Sequence, residues 1–342
     1  MNNQVTSTSS RKDDHLRICL EEDVRSSIRP GFERIGLKLQ NLPELDFDQI
    51  DLSTTIFGKK LAAPLLISSM TGGSGKTRHF NQILARAANQ FGIAMGVGSQ
   101  RAAIEHPELE ESFAIVRKEA PNALLFANLG VAQLNKAYGL AQCQRAVDML
   151  EADGLYLHLN ALQEVLQPEG NRNFSDLLGK IETIASSLSV PVLAKEVGCG
   201  IDKETAQKLV NVGVKGIDVA GLGGTSWAAV EMYRQTDPVR KSVCANFINW
   251  GIPTVPALLD LSGLPEDVIK ISSGGLESGI DVAKSLAMGA ELAGFARKFI
   301  LVAAEGEREL EQTIQKIILE IKISLFLTGS TNLREIKGKW YS

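Results

Sequence analysis

One unit repeats along most of the chain: a short apolar run, a tip of glycine and polar residues, then a stretch with helical spacing. The apolar runs fall at 64–69, 93–97, 124–127, 155–159, 191–194, 216–219, 267–271 and 291–295, with His158 interrupting the fourth. Each has strand length, and continuous apolar character marks strands covered on both faces. Such strands alternating with helices predict a parallel sheet. Eight of them predict an α/β fold, the closed (β/α)8 TIM barrel. The polar tips follow the strands rather than precede them, so the barrel gathers them at its C-terminal mouth.

The flanks are less regular. Residues 1–60 read as an N-terminal arm that contributes to the mouth. Its first ten residues are polar and Ser/Thr-rich, and are expected to stay disordered until bound. Residues 61–327 carry the barrel and 328–342 form a polar tail, all within a single domain. In 305–327, Ile314, Ile317, Ile318, Ile321 and Leu325 stand at helical spacing and predict a helix packed on the barrel. The connection from Gly224 to the seventh strand is long, with Trp227, Trp250, Pro238, Pro253 and Pro256, which suggests a lid or an oligomer contact. Trp340 and Tyr341 in the tail are expected to dock on a neighbour.

Composition narrows the function. The 342 residues are 44% hydrophobic, enough for a large core, and the net charge of -4 supplies no basic field for nucleic acid. No apolar run reaches membrane-spanning length and no secretory signal opens the chain. Cys19, Cys143, Cys199 and Cys244 lie far apart without a CxxC pair, which fits free thiols in a cytoplasmic protein.

The tips carry the candidate chemistry. Thr71-Gly72-Gly73-Ser74-Gly75-Lys76-Thr77 looks like a nucleotide loop, but the required glycine five positions before Gly75-Lys76 is replaced by Met70. The sharper pattern is Ser273-Gly274-Gly275-Leu276 after strand seven, with Ala296-Arg297 after strand eight. Barrels bind phosphate there with backbone N–H groups and a short helix N-terminus. Lys195, at the end of strand five, is costly to bury without a task. With Ser69, Ser99, Asn128 and Thr225 it would ring a flat cofactor, and the whole suits FMN. Arg11, Lys12 and Arg101 point to a second polyanion. Glu164 beside them calls for a divalent cation, and Mg²⁺ uses one or two carboxylates plus substrate phosphates.

Together the motifs resemble one family, the FMN-dependent type 2 isopentenyl-diphosphate Δ-isomerases. The resemblance rests on Arg11-Lys12-Asp13-Asp14-His15-Leu16, Ser69-Met70-Thr71-Gly72-Gly73, Gly98-Ser99-Gln100-Arg101, Asn128-Leu129-Gly130, His158-Leu159-Asn160 with Gln163-Glu164, Gln167-Pro168-Glu169-Gly170, Lys195-Glu196-Val197-Gly198 and Ser273-Gly274-Gly275. It implies interconversion of isopentenyl and dimethylallyl diphosphate by a 1,3-proton shift, with reduced FMN, Mg²⁺, NADPH as reductant, and a homo-oligomer, tetramer or octamer. It implies that Ser69, Met70, Thr71, Ser99, Asn128, Lys195, Thr225, Gly274, Gly275, Leu276, Ala296 and Arg297 hold FMN. Arg11, Lys12, His15, Ser99, Gln100, Arg101, His158, Asn160 and Gln163 would hold the prenyl diphosphate, and Glu164 the metal. Gln163, Lys195 and His158 are the catalytic candidates, with the flavin itself ranked ahead of Gln163 as proton donor. One departure stands out: Glu277 occupies a position that is often basic in such sequences, so it must point outward or pair with a cation.

Two other readings share parts of this pattern. An FMN-dependent 2-hydroxy-acid oxidase needs a His base with a nearby Arg after a late strand, and Gly221-Leu222-Gly223-Gly224-Thr225 offers neither. A non-catalytic flavin-binding barrel explains the glycines but leaves Glu164, His158 and Arg101 idle.

Overall fold

A computed structural model describes residues 2–342. Eight parallel strands close into a barrel: β1 Leu65–Ile67, β2 Ala94–Gly96, β3 Leu125–Gly130, β4 Gly154–His158, β5 Val192–Lys195, β6 Gly216–Asp218, β7 Ile269–Ser273 and β8 Leu292–Phe295, with β8 pairing back onto β1. All eight apolar runs become strands, so the (β/α)8 expectation holds. The ends differ by one or two residues, and β3 runs on through Asn128 to Gly130.

Inside the barrel Leu66, Phe126, Tyr156, Leu193, Ile271 and Leu292 pack together. Ile56 and Leu61 join them from the hairpin Thr54–Ile56/Lys59–Leu61, and Phe57 packs edge-on against Phe126. This hairpin plugs the end of the barrel opposite the glycine-tipped loops. A second, larger core fills the space between strands and outer helices. Helix ends follow local chemistry: Ser74 caps Gly75–Phe91 with a reciprocal capping box, and Gly92 ends it in the left-handed conformation. The false nucleotide loop is thus a strand end running into a helix cap.

Two expectations change. Residues 2–10 are not irregular: one helix spans Asn2–Glu21, continuing the turn set by the residues that pack on the barrel from Arg11 onward. The expectation for Met1 lies outside the described residues. A short helix, Ala161–Leu166, follows β4 and carries Gln163 and Glu164. The expected helix over 305–327 is present as Glu307–Leu327, and Gly306, with a positive φ of 157°, separates it from the preceding helix Arg297–Glu305. Trp340–Tyr341 pairs antiparallel with Gly36–Leu37 of its own arm rather than with a neighbour. Gly36 permits this because a side chain there would occupy the space of the Tyr341 ring.

The long connection after β6 folds into the helices Trp227–Arg234, Pro238–Asn246 and Thr254–Asp260. The first packs on the N-terminal helix and on Ala161–Leu166, so it forms a wall of the mouth. Backbone bonds tie the arm to this loop, Ser26 donating to Gly224 (3.0 Å) and Ser226 to Val24 (2.7 Å).

Candidate active site

Two cavities open at the C-terminal mouth and share Ser69, Met70, Lys195, Val197 and Trp227 as a common border. The first, of about 410 Å³, lies on the glycine side and has the size of an ordinary ligand pocket. Thr225, Gly274, Gly275, Leu276, Ala296 and Arg297 line it. Gly274 and Gly275 take φ of 103° and 75°, and a side chain on either would run into the backbone of Gly221, Gly223 or Gly224. The Thr254 hydroxyl donates to the Gly274 carbonyl at 2.6 Å and holds the turn. Ser68 and Ser69 bring buried hydroxyls to this cavity that have no partner in the protein. A backbone cradle plus unpaired hydroxyls in the same cavity fits a phosphate-bearing flat cofactor such as FMN.

Arg297 lines this cavity, yet its guanidinium is engaged elsewhere. It donates to the carbonyls of Cys19 (2.7 Å) and Glu22 (3.0 Å), clamping the end of the N-terminal helix. Glu277 borders this cavity, but its carboxylate is largely exposed and pairs with Lys298 at 3.1 Å, which offsets its charge.

The second cavity lies under the arm. Arg11, Lys12, His15, Ser99, Arg101, His158, Asn160, Gln163 and Glu164 all line it, and so do Thr71 and Asn128 from the flavin set. Gln100 does not. Its buried amide donates to Ala146 O (2.8 Å) and accepts from Asn128 N (2.8 Å), so it braces β3 rather than facing a ligand.

Several ionisable groups of this cavity are strongly shifted. Lys12 Nζ donates to Gly72 O (2.6 Å) and Ser99 O (2.5 Å), joining the tips of β1 and β2. Burial, then Arg11 and Arg101, lower its pKa to about 7. Burial and Arg101 also depress Arg11. His158 is pushed down to about 3 by burial, Lys195 and Lys12. Arg101 already pairs with Glu105 at 2.8 Å and Arg11 lies 4.0 Å from Glu169, and the convergence of Arg11, Lys12 and Arg101 on one cavity suits an anionic ligand such as a diphosphate.

Glu164 is buried in the cavity wall. One oxygen accepts from Asn160 Nδ2 at 3.2 Å and the other from the Asn171 backbone N–H. No group of three or more His, Cys, Asp and Glu is placed to hold a metal among the described residues. A hard carboxylate standing alone beside cations suits Mg²⁺ whose remaining ligands are phosphate and water.

Beneath the border, Lys195 sits opposite Asp218 in strand register, and its ammonium donates to Glu196 O at 2.6 Å. Burial raises Asp218 above the usual carboxylate range, against the pull of Lys195. Burial likewise lifts Glu196 to about 7, although it accepts three backbone N–H bonds.

Several residues of the site escaped sequence reasoning. Trp227, Leu16 and Cys19 give the arm-side cavity its apolar wall. Glu231, Arg234 and Glu169 stand behind it. Glu231 and Arg234 lie in an ordinary amphipathic helix, where nothing local separates them from solvated charges.

Barrel, cradle and unpaired hydroxyls define a flavin-binding protein of the FMN-dependent dehydrogenase class, and the chain matches that family over residues 21–118 and 160–342. The same barrel occurs in a flavocytochrome b2 variant (TM-score 0.69, 18% identity, 96% of this chain and 82% of that one) and a mandelate oxidase variant (0.64, 18%, 99% and 98%). At that identity the likeness concerns the fold alone. Much nearer in sequence are isopentenyl-diphosphate delta-isomerases of Nostoc sp. (50% identical, covering 96% of this chain and 94% of the relative), Synechocystis sp. (49%, 97% and 95%) and Rickettsia africae (46%, 95% and 95%). The chain belongs to the type 2 isopentenyl-diphosphate delta-isomerase family.

Proposed function

We propose that the protein interconverts isopentenyl and dimethylallyl diphosphate by a 1,3-proton shift, with reduced FMN, Mg²⁺, and NADPH to reduce the flavin. The observation that carries this reading is the shared border of the two cavities. A ligand held under the arm meets whatever lies in the glycine cradle along Ser69, Met70, Lys195 and Trp227.

Each residue then has a task. Arg11, Lys12 and Arg101 would hold the diphosphate, and Glu164 would hold Mg²⁺, which would offset phosphate charge. Leu16, Cys19, Met70 and Trp227 cover the prenyl chain and keep water from a cationic intermediate. Reduced FMN, when bound, supplies an electron-rich ring and an N5/N1 edge able to give and take protons. Lys195 places positive charge at the border, where negative charge on a reduced ring needs an opposite. Gln163 orients the alkene end, since a neutral amide is a poor acid.

The 2-hydroxy-acid oxidase reading shares the barrel and the cradle. The residues after β6 still offer no His–Arg pair to take a hydroxy acid. The test is incubation with FMN, NADPH, Mg²⁺ and isopentenyl diphosphate. Dimethylallyl diphosphate should form without net NADPH oxidation; NADPH consumed in proportion to product would sink the reading.

No described helix is long and apolar enough to cross a membrane. Exposed Leu319, Ile323 and Leu327 share one face of the last long helix and support the proposed homo-oligomer, tetramer or octamer. Light scattering on the eluting protein tests it; a monomer would refute it.

A further inference from the structure

We infer that Arg234 is a positioning residue for the arm-side cavity, fixing Arg11, His15 and Gln163 through two carboxylates. The identity of the anion it serves rests on the isomerase reading; the positioning does not.

Arg234 ends the helix Trp227–Arg234 and does not itself line the cavity. Its guanidinium reaches two carboxylates at once: Nη1 donates to Glu231 Oε2 (2.7 Å) and Nη2 to Glu169 Oε1 (2.8 Å). Glu231 is fully buried, and its other oxygen lies 3.0 Å from His15 Nε2 and 3.4 Å from Gln163 Nε2. Glu169 Oε1 lies 4.0 Å from Arg11 Nη1. One side chain therefore ties together the arm, the short helix after β4, the loop that follows it and the wall helix.

The chemistry requires an arginine. A planar fork holds two carboxylates in set directions, whereas an ammonium is a point charge. A fully buried Glu231 also needs a fixed cation, because an uncompensated carboxylate there is costly. Burial works to raise Glu231, but His15 and Arg234 more than offset it and hold it low. The groups facing His15 are Glu231, Arg234 and Trp227 from the wall helix, and Arg11 from its own helix. Burial, Arg234 and Arg11 oppose its protonation, while Glu231 favours it.

The experiment uses FMN-loaded full-length protein and inorganic diphosphate with Mg²⁺ as the probe. Diphosphate affinity is read by calorimetry, FMN affinity by flavin fluorescence, and His15 by NMR, which the small number of histidines (4) makes practicable. Arg234→Met should weaken diphosphate binding about 10- to 100-fold and leave FMN affinity within about twofold, since no contact reaches the cradle. It should also raise the His15 titration midpoint, because a cation opposing protonation has gone while Glu231 remains. Arg234→Lys should bind diphosphate with intermediate affinity. Glu169→Gln, at a partly exposed position, should weaken diphosphate binding but leave the His15 midpoint in place.

Unchanged diphosphate affinity in Arg234→Met, an unmoved His15 midpoint, or a parallel loss of FMN would overturn the inference. Should Arg234→Met not fold, Arg234→Lys and Glu169→Gln decide it: wild-type diphosphate affinity in both is the negative result. A wild-type protein that binds diphosphate but fails to isomerise isopentenyl diphosphate sinks the functional reading alone.

Discussion

His158 Nδ1 lies 2.8 Å from Asn128 Oδ1, and this contact decides which edge of the imidazole meets the ligand. Asn128 Nδ2 donates to Val97 O at 2.9 Å, which turns its oxygen toward His158. Nδ1 must then carry the proton, leaving Nε2 bare.

With its pKa near 3, His158 is expected neutral, as the Nδ1–H tautomer, through the physiological range. Nitrogen-15 NMR of the ligand-free protein checks this; an imidazolium signature at pH 5 would refute it. The folded pKa lies below the unfolded value of about 6.5, so the unfolded chain takes up the proton first. The resulting stability loss grows as pH falls from about 6.5 toward 3. His158→Gln should flatten that part of the acid limb in denaturant titrations.

Lys12 gives the second pH prediction. Its folded pKa of about 7 is depressed from the ordinary 10.5, so the unliganded ammonium loses its proton as pH rises past 7. A diphosphate favours the charged form, and its binding should take up a proton above that pH. Affinity should then fall about tenfold per unit between pH 8 and 9, and the slope should vanish in Lys12→Met. Calorimetry in buffers of different ionisation enthalpy measures the proton directly; equal heats in all of them would contradict the assignment.

Glu164→Gln keeps the shape of the carboxylate but removes the charge that a divalent cation needs. The Mg²⁺ concentration for half-maximal diphosphate binding should rise at least about tenfold, with FMN affinity unaffected. A metal titration identical to wild type would reject Glu164 as ligand.

Gly275→Ala tests the cradle. The added methyl meets the backbone of Gly223 and Gly224, and the φ of 75° is itself costly for alanine. The strain is of order 1–3 kcal/mol, and the shifted loop should cost FMN affinity more than tenfold. Diphosphate binding should persist, since the arm-side residues are untouched. A variant that binds FMN normally would show that the cradle is not where the phosphate sits.

The two halves of the site were unequally legible. The glycine pair at 274–275 announced itself, because a positive φ and close backbone approach admit few other residues. Glu277 was recognised as a departure, and its pairing with Lys298 offsets its charge. Gln100 shares a motif with Ser99 and Arg101, yet it turns inward to Ala146 while they line the cavity. Arg297 lines the predicted cavity, but its guanidinium holds the arm's helix by its last carbonyls, a task no local pattern announces.

By itself the sequence determined the eight strands, their order and the end of the barrel at which the chemistry gathers. Those follow from apolar periodicity and from glycine, which act within a few residues. Only the tertiary structure decided which polar side chains meet a ligand and which brace the wall behind it. Glu231 and Arg234 read as solvated helix charges until Arg11, His15, Gln163 and Glu169 arrive from distant segments to surround them. The direction of a side chain depends on partners that the local chain does not contain, and burial sets its charge only once those partners are in place.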